Sequence, residues 1–343
     1  MKEIIIKSHK IGINNPVFII AEAGINHNGS LTIAKKMVDT AKLAGVSCVK
    51  FQTHISDKEM LKTNIKPGTI SKKTLWNIIK SCELSENEED KLSQYCKKKK
   101  LLFLSTPFSI EAVDRLEKIK LPAYKIGSGE LTNLPFLEKV AHTKKPIILS
   151  TGMSKMSEIR KAIQIFKKYK NPFALLQTTS TYPSSYSEIK LGMIPKFIQQ
   201  FRVPVGLSDH SIGIYTALGG IAKGASIIEK HFTLDTKMPG PDQKFSLTPI
   251  ELQQLVLGCN AVKQALGSSK IILKNEKPIR QFAEASVVTI KYVKKGEKFS
   301  EDNLGTKRPG TGQILASQFR KIMGKKAKKP IKSNKQLNWK DII

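Results

Sequence analysis

The sequence predicts an α/β protein: a (β/α)8 barrel followed by a small, mostly β domain. Three observations predict it. Eight short apolar runs recur within residues 1–268, continuous rather than alternating, as in a parallel sheet covered on its outer face. A helix-like segment follows each run, and eight such units match the rhythm of a TIM barrel, which takes about 250 residues. From residue 281 the pattern breaks into short elements rich in lysine.

The apolar runs are residues 17–21, 48–51, 101–104, 123–126, 147–149, 173–176, 205–207 and 227–228. The first helix, 30–44, opens on Ser30 as a cap and stops before Gly45. The helix at 85–98 opens on Ser85 with Glu88 three residues on, a capping box. Residues 109–118, 134–142, 154–169, 189–201, 212–223 and 249–266 supply the remaining helices. A doubly wound open sheet would alternate in the same way, but it gathers its chemistry at one switch point. The domains are then a barrel at 1–268, a linker at 269–280 and a tail at 281–343. The tail carries short elements at 287–290 and 307–309 about a turn at 294–297.

At 343 residues, 40% hydrophobic and 25% charged, the chain has the composition of an ordinary globular protein. No apolar run approaches the roughly 20 residues of a membrane helix. The stretch 17–21 is interrupted by Glu22 and reads as a strand, not a signal peptide, so a cytoplasmic location is expected. Cys48, Cys82, Cys96 and Cys259 form no C-x-x-C pair and read as free thiols of a reducing compartment. The net charge is +30, yet only six of the 58 basic residues are arginine. The lysine runs at 97–100 and 325–329 contain no aromatics for base stacking. Sequence-specific nucleic-acid readers favour arginine. The charge therefore reads as a solvated lysine surface with a general attraction for phosphate-bearing substrates.

Active sites of TIM barrels lie at the C-terminal ends of the strands, and a polar cluster follows each strand here. In order they begin at Glu22, Lys50-Phe51-Gln52, Ser105-Thr106, Lys125 with Gly127-Ser128-Gly129-Glu130, Ser150-Thr151-Gly152, Thr178 through Tyr182, Ser208-Asp209-His210, and Glu229-Lys230-His231. Eight such clusters on one rim are hard to reconcile with a purely structural role, because buried charges need partners. His210 and His231 end adjacent strands and suit a weak, open site for Mn2+ or another divalent ion. Asp209 and Glu229 are alternative ligands or partners of those ligands. Lys50 and Lys125, with Ser128, Ser150 and Ser208, suit an anion bearing both a phosphate and a carboxylate. The glycine-flanked turns would let backbone N–H groups approach the phosphate. A lysine that forms a Schiff base, as in a class I aldolase, is the competing reading.

Together, Ala-Glu-Ala-Gly-Ile-Asn-His-Asn-Gly (21–29), Val-Lys-Phe-Gln-Thr-His (49–54), Leu-Ser-Thr-Pro-Phe (104–108), Tyr-Lys-Ile-Gly-Ser-Gly-Glu (124–130), Leu-Ser-Thr-Gly-Met (149–153), Gly-Leu-Ser-Asp-His (206–210), Glu-Lys-His-Phe-Thr (229–233) and Gly-Pro-Asp (240–242) resemble the sialic acid synthases, within the wider nonulosonic acid synthases. The tail resembles that family's antifreeze-like (SAF) domain through Ala-Ser-Val-Val (285–288) and Lys-Arg-Pro-Gly (307–310). The resemblance covers essentially the whole chain. It implies condensation of phosphoenolpyruvate with the open-chain aldehyde of an N-acetylated hexosamine, with release of phosphate. It implies His210 and His231 as ligands of a divalent metal, Mn2+, and Glu22 as the acid/base group. Lys50, Thr106, Lys125, Ser128, Ser150 and Ser208 would hold phosphoenolpyruvate. Gln52, Glu130, Tyr182 and Asp242 would contact the amino sugar. Arg308 would reach its N-acetyl group across a domain-swapped homodimer.

N-acetylmannosamine, giving N-acetylneuraminate, is the expected acceptor. The same reaction with 2,4-diacetamido-2,4,6-trideoxymannose, giving legionaminic acid, is the alternative. Residues 57–82 resemble sialic acid synthases, whereas 230–235 and 243–247 lean toward relatives that make legionaminic or pseudaminic acid. The second acceptor requires a more apolar pocket, which Phe51 and Ser180 are expected to supply. From another class, a basic nucleic-acid- or surface-binding protein on an inactive barrel stays open. The intact set of Glu22, Lys50, Lys125, His210 and His231 argues against it.

Overall fold

The computed structural model describes residues 3–66 and 73–343. They fall into two compact units, Met1–Gly267 and Ser268–Ile343. Residues 67–72, inside the stretch with sialic-acid-synthase character, lie outside the described residues.

The first unit opens with an antiparallel hairpin of β1 (Ile4–Ile6) and β2 (His9–Ile11). Eight parallel strands follow: β3 (Phe18–Gly24), β4 (Cys48–Thr53), β5 (Leu102–Pro107), β6 (Tyr124–Ile126), β7 (Ile147–Ser150), β8 (Phe173–Thr178), β9 (Val205–Asp209) and β10 (Ile227–His231). They run side by side in the order β5-β4-β3-β10-β9-β8-β7-β6. β5 and β6 are neighbours without a ladder between them, so the barrel is nearly closed. The helices are α1 (Leu31–Ala44), α2 (Ser56–Glu59), α3 (Leu75–Cys82), α4 (Glu86–Lys98), α5 (Ile110–Lys118), α6 (Leu134–His142), α7 (Met156–Lys168), α8 (Met193–Phe201), α9 (Tyr215–Ala222) and α10 (Pro249–Ala265). Their starts follow the capping chemistry: Ser30 accepts from the N–H of Ile33, and Ser85 and Glu88 form the reciprocal capping box.

The period-two alternation of strands sorts the barrel into layers. Ile19, Val49, Phe51, Leu149, Leu175, Leu207 and Ile228 belong to the large cluster that also holds the helix faces. Ile20, Cys48, Leu104, Ala123, Ile148, Leu176 and Ile227 form an inner cluster with Ile4, Ile6 and Ile11 of the hairpin. The hairpin thus completes the apolar interior. Two residues further along the strands, the same face presents Glu22, Lys50, Thr106, Lys125, Ser150, Thr178, Ser208 and Glu229. A polar layer therefore lies directly above the apolar one.

The second unit holds α11 (Glu276–Ala283), an antiparallel pair of β11 (Ser286–Thr289) and β12 (Leu304–Lys307), and α12 (Phe319–Ile322). Helix α11 begins inside the stretch read as a linker, covering its last five residues, 276–280. Val287, Val293, Phe299, Leu304, Ile314, Ile322 and Leu337 form its own core. The turn at 294–297 closes as Glu297 N donates to the carbonyl of Lys294 at 3.1 Å, while Lys294 N donates to the Glu297 carboxylate at 2.6 Å. Among the described residues no helix is long and apolar enough to cross a membrane. All four cysteines are free and buried.

Candidate active site

The polar layer lines one cavity of about 240 Å³, completed by Gln52, Phe108, Ser128, Ser180, Tyr182, His210 and His231 among others. At its floor two lysines meet two carboxylates. Lys50 Nζ lies 2.7 Å from Glu22 Oε2 and 3.8 Å from Glu229 Oε2, and donates to Thr106 Oγ1 at 2.8 Å. Lys125 Nζ lies 3.3 Å from Glu229 Oε1 and donates to Ser150 Oγ at 2.7 Å. Ser208 Oγ donates to the same Glu229 oxygen at 2.9 Å, and Gln52 Nε2 donates to Glu22 Oε1 at 2.9 Å. All four charged groups are buried.

Their environments differ. Burial works against ionised Glu229, but Lys125 and Lys50 outweigh it and hold the carboxyl at about 2. Burial pushes Glu22 above its ordinary value, against the pull of Lys50 and with the push of Glu229. Burial also opposes the charge on Lys50, yet Glu22 and Glu229 raise it further. For Lys125 burial wins, and its ammonium is held less firmly than usual. Gly152 lies where this floor meets the rim: a Cβ there would collide with Ser180 Oγ and come within 2.8 Å of Ser128 Oγ, which instead accepts from the Gly152 N–H at 3.0 Å.

Among the described residues no three His, Cys, Asp or Glu side chains form a ready metal cluster. Two imidazoles nevertheless face one another, with the rings of His210 and His231 5.6 Å apart. His210 Nδ1 donates to the carbonyl of Thr179 at 2.6 Å, which leaves Nε2 as the lone-pair nitrogen. His231 Nδ1 is buried without a hydrogen-bond partner among the described residues and lies 3.8 Å from Asp242 Oδ2. Burial lowers both histidines, so both are neutral. Two neutral imidazoles beside a carboxylate fit a divalent cation. Gly24, at a β-bulge and at φ +50°, makes room for one of them: a Cβ there would lie 3.3 Å from His231 Cε1.

A second cavity of about 350 Å³ shares Gln52, Phe108, Tyr182 and His231 with the first. It adds Asp242, His54 and Glu59 and an apolar wall of Ile25, Met60, Leu75, Ile78 and Ile79. Burial pushes the Asp242 carboxyl up to about 7, with Glu22 adding to the rise.

The structure brings together Glu22, Lys50, Gln52, Thr106, Lys125, Ser128, Ser150, Tyr182, Ser208, His210 and His231, with Asp242 in the adjoining chamber. Glu130 lines neither cavity. Its carboxylate accepts from Asn133 Nδ2 at 2.7 Å, one residue beyond the rim residue Gly129. Arg308 follows β12 in the second unit and is exposed there. Two expectations need correction. Asp209 faces outward, paired with Lys230 at 2.8 Å and accepting from Thr216 Oγ1 at 2.6 Å, and it does not line the cavity. Phe51 also faces outward, stacked on Phe103 with ring centroids 5.9 Å apart, so it does not supply the apolar pocket. Glu229, expected as an alternative ligand or a partner of the ligands, sits at the centre of the charge cluster. The period-two spacing of Glu229 and His231 on one strand was the signal that marked it.

The chain is thus a nearly closed eight-stranded parallel barrel, with two lysines and two carboxylates buried at its floor and two imidazoles facing one another, followed by a separate small β unit. The chain belongs to the NeuB family, whose model matches residues 37–271, and the SAF domain model matches residues 284–343. It is similar to the N,N'-diacetyllegionaminic acid synthase of Campylobacter jejuni, with 41% identity over 92% of this chain and 97% of that one. It is also similar to the human N-acetylneuraminate-9-phosphate synthase, with 34% identity over 87% of this chain and 84% of that one. Among solved structures, the N-acetylneuraminic acid synthetase of Leptospira borgpetersenii, in complex with citrate, superposes with a TM-score of 0.74 at 37% identity, covering 81% of this chain and 95% of that one.

Proposed function

We propose that the chain condenses phosphoenolpyruvate with the open-chain aldehyde of an N-acetylated hexosamine, N-acetylmannosamine in the simplest case, and releases phosphate. The observation that carries this reading is the polar layer: two buried lysines, each hydrogen-bonded to a hydroxyl, among the serines and threonines of one barrel floor. Lys50, Thr106, Lys125, Ser128, Ser150 and Ser208 hold the phosphate and carboxylate of phosphoenolpyruvate. Fixed donors of this kind need no reorganisation as charge moves. Carbon 3 attacks the aldehyde carbon, water adds at carbon 2, and the carbon–oxygen bond to phosphate breaks. Glu22, raised by burial, handles the proton of that water. Gln52, Tyr182 and Asp242 contact the acceptor; Glu130, which lines neither cavity, would have to turn from Asn133 to join them. A divalent cation such as Mn2+, held by His210 and His231, would polarise the aldehyde oxygen as a Lewis acid. Arg308 reaches the acceptor's N-acetyl group on the barrel of a second copy, in a domain-swapped dimer.

The bond that breaks is testable. Phosphoenolpyruvate labelled with 18O in the bridging C–O–P position should yield labelled phosphate. Label retained in the sugar acid would mean P–O cleavage and would reject this chemistry.

A further inference from the structure

Strand β4 carries Lys50 and Gln52 into the site, and the period-two alternation brings His54, just past its end, to the same side. His54 is buried, and its ring is held on three sides. Phe108 stacks on it, with ring centroids 4.4 Å apart. Nδ1 lies 3.0 and 2.9 Å from the two carboxylate oxygens of Glu59, the last residue of α2. Nε2 lies 2.9 Å from Gln52 Oε1. Glu59 is braced in turn, because Ser56 at the start of α2 donates both its backbone N–H and its hydroxyl to Glu83 Oε1.

The partners fix which atoms donate. A carboxylate oxygen only accepts, so Nδ1 donates to Glu59. A carbonyl oxygen only accepts, so Nε2 donates to Gln52. The Gln52 side chain therefore turns its oxygen to His54 and its nitrogen to Glu22 Oε1, 2.9 Å away. An unbroken chain of hydrogen bonds runs from Glu59 through His54 and Gln52 to Glu22. The amide is its sensitive link. Its oxygen and nitrogen are nearly equal in size, so packing alone does not orient it. Reversed, it would set an oxygen against the Glu22 carboxylate and an N–H against the N–H of His54, leaving buried groups unpaired.

We infer that His54 is a positioning residue for the condensation: braced by Glu59, it fixes the Gln52 amide so that the nitrogen, not the oxygen, meets Glu22. This rests on the reaction proposed above, in which Glu22 handles a proton. His54 acts through Gln52 and touches no reacting atom.

The test is a double-mutant cycle. It reads kcat for phosphate release by the full-length, Mn2+-loaded protein, with the acceptor sugar that the wild type uses. His54→Asn keeps a donor near the place of Nδ1 for Glu59 and removes the one that reaches Gln52. His54→Gln keeps a donor near the place of Nε2. Losing the partner that orients a liganding side chain typically costs about 10- to 100-fold in activity, and His54 stands in that relation to Gln52. His54→Asn should therefore lower kcat about tenfold or more while KM for phosphoenolpyruvate stays within about threefold. His54→Gln should retain at least about threefold more activity than His54→Asn. In a Gln52→Ala background, His54→Asn should cost less than about threefold further, because its target is gone. A smaller loss of kcat, a larger shift of KM, no advantage of His54→Gln, or a larger further loss without Gln52 overturns the inference. If His54→Asn does not fold, His54→Phe, which keeps a ring against Phe108, runs the same cycle. No release from folded wild-type protein with either sugar would instead reject the underlying reaction, so the two failures are distinguishable.

Discussion

Glu22 and Glu229 face the same lysines yet are driven in opposite directions. Glu229 receives Lys125, Lys50 and the Ser208 hydroxyl. Glu22 has only Lys50 and Gln52 and also feels Glu229. Neighbouring carboxyls pushed apart in this way take different roles: Glu22 can exchange a proton, and Glu229 stays a fixed counter-charge. Glu22→Gln should lower kcat by about 10²- to 10⁴-fold with little change in KM for phosphoenolpyruvate, as steady-state kinetics would show. Glu229→Gln should act on the fold as well, since it leaves two buried ammonium groups short of a partner. A loss of about 3–5 kcal/mol is expected in urea unfolding, and a loss below about 1 kcal/mol would mean the lysines find other partners.

At the scale of elements, α4 docks through Glu89, which lies beneath Thr53 of β4 and 3.7 Å from Arg115 of α5. Burial pushes its carboxyl up to about 7 from an ordinary 4.5, against the hydrogen bond from Thr53 and the charge of Arg115. The native state thus holds this proton more tightly than the unfolded chain. Its favourable contribution is complete below about pH 4.5 and is lost as pH rises through about 7. Glu89→Gln should therefore flatten the fall of stability between pH 5 and pH 7 and raise it at pH 8 by up to about 3 kcal/mol. Urea midpoints at the two pH values check this. The barrel strands were legible because each is a continuous apolar run, and α1 and α4 because Ser30 and the Ser85–Glu88 box mark their starts. Side-chain parity was legible too. Lys50 facing inward forces Phe51 outward, and Glu229 with His231 inward forces Lys230 onto Asp209. The hairpin of β1 and β2 is not legible in the sequence, because three-residue strands carry almost no periodicity. Helix α3 does carry a stripe, but its eight residues sit within a long connection that read as a family feature rather than an element.

At the scale of the whole molecule, a net charge of +30 separates two kinds of electrostatics. Surface lysines are screened beyond a Debye length of about 8–10 Å, whereas buried charges are screened little. Retention on heparin should collapse by about 0.3 M NaCl, while kcat/KM for phosphoenolpyruvate should change less than about threefold over the same range. A parallel collapse of both would mean the surface charge takes part in substrate capture. If, as proposed, the polar layer, the two imidazoles and the adjoining chamber act as one condensing site, phosphate release from phosphoenolpyruvate with Mn2+ and each of the two sugars, before and after EDTA, reads it most directly. Release should require a sugar and stop with EDTA. Sugar-independent release, or none from folded, Mn2+-loaded protein with either sugar, would contradict it.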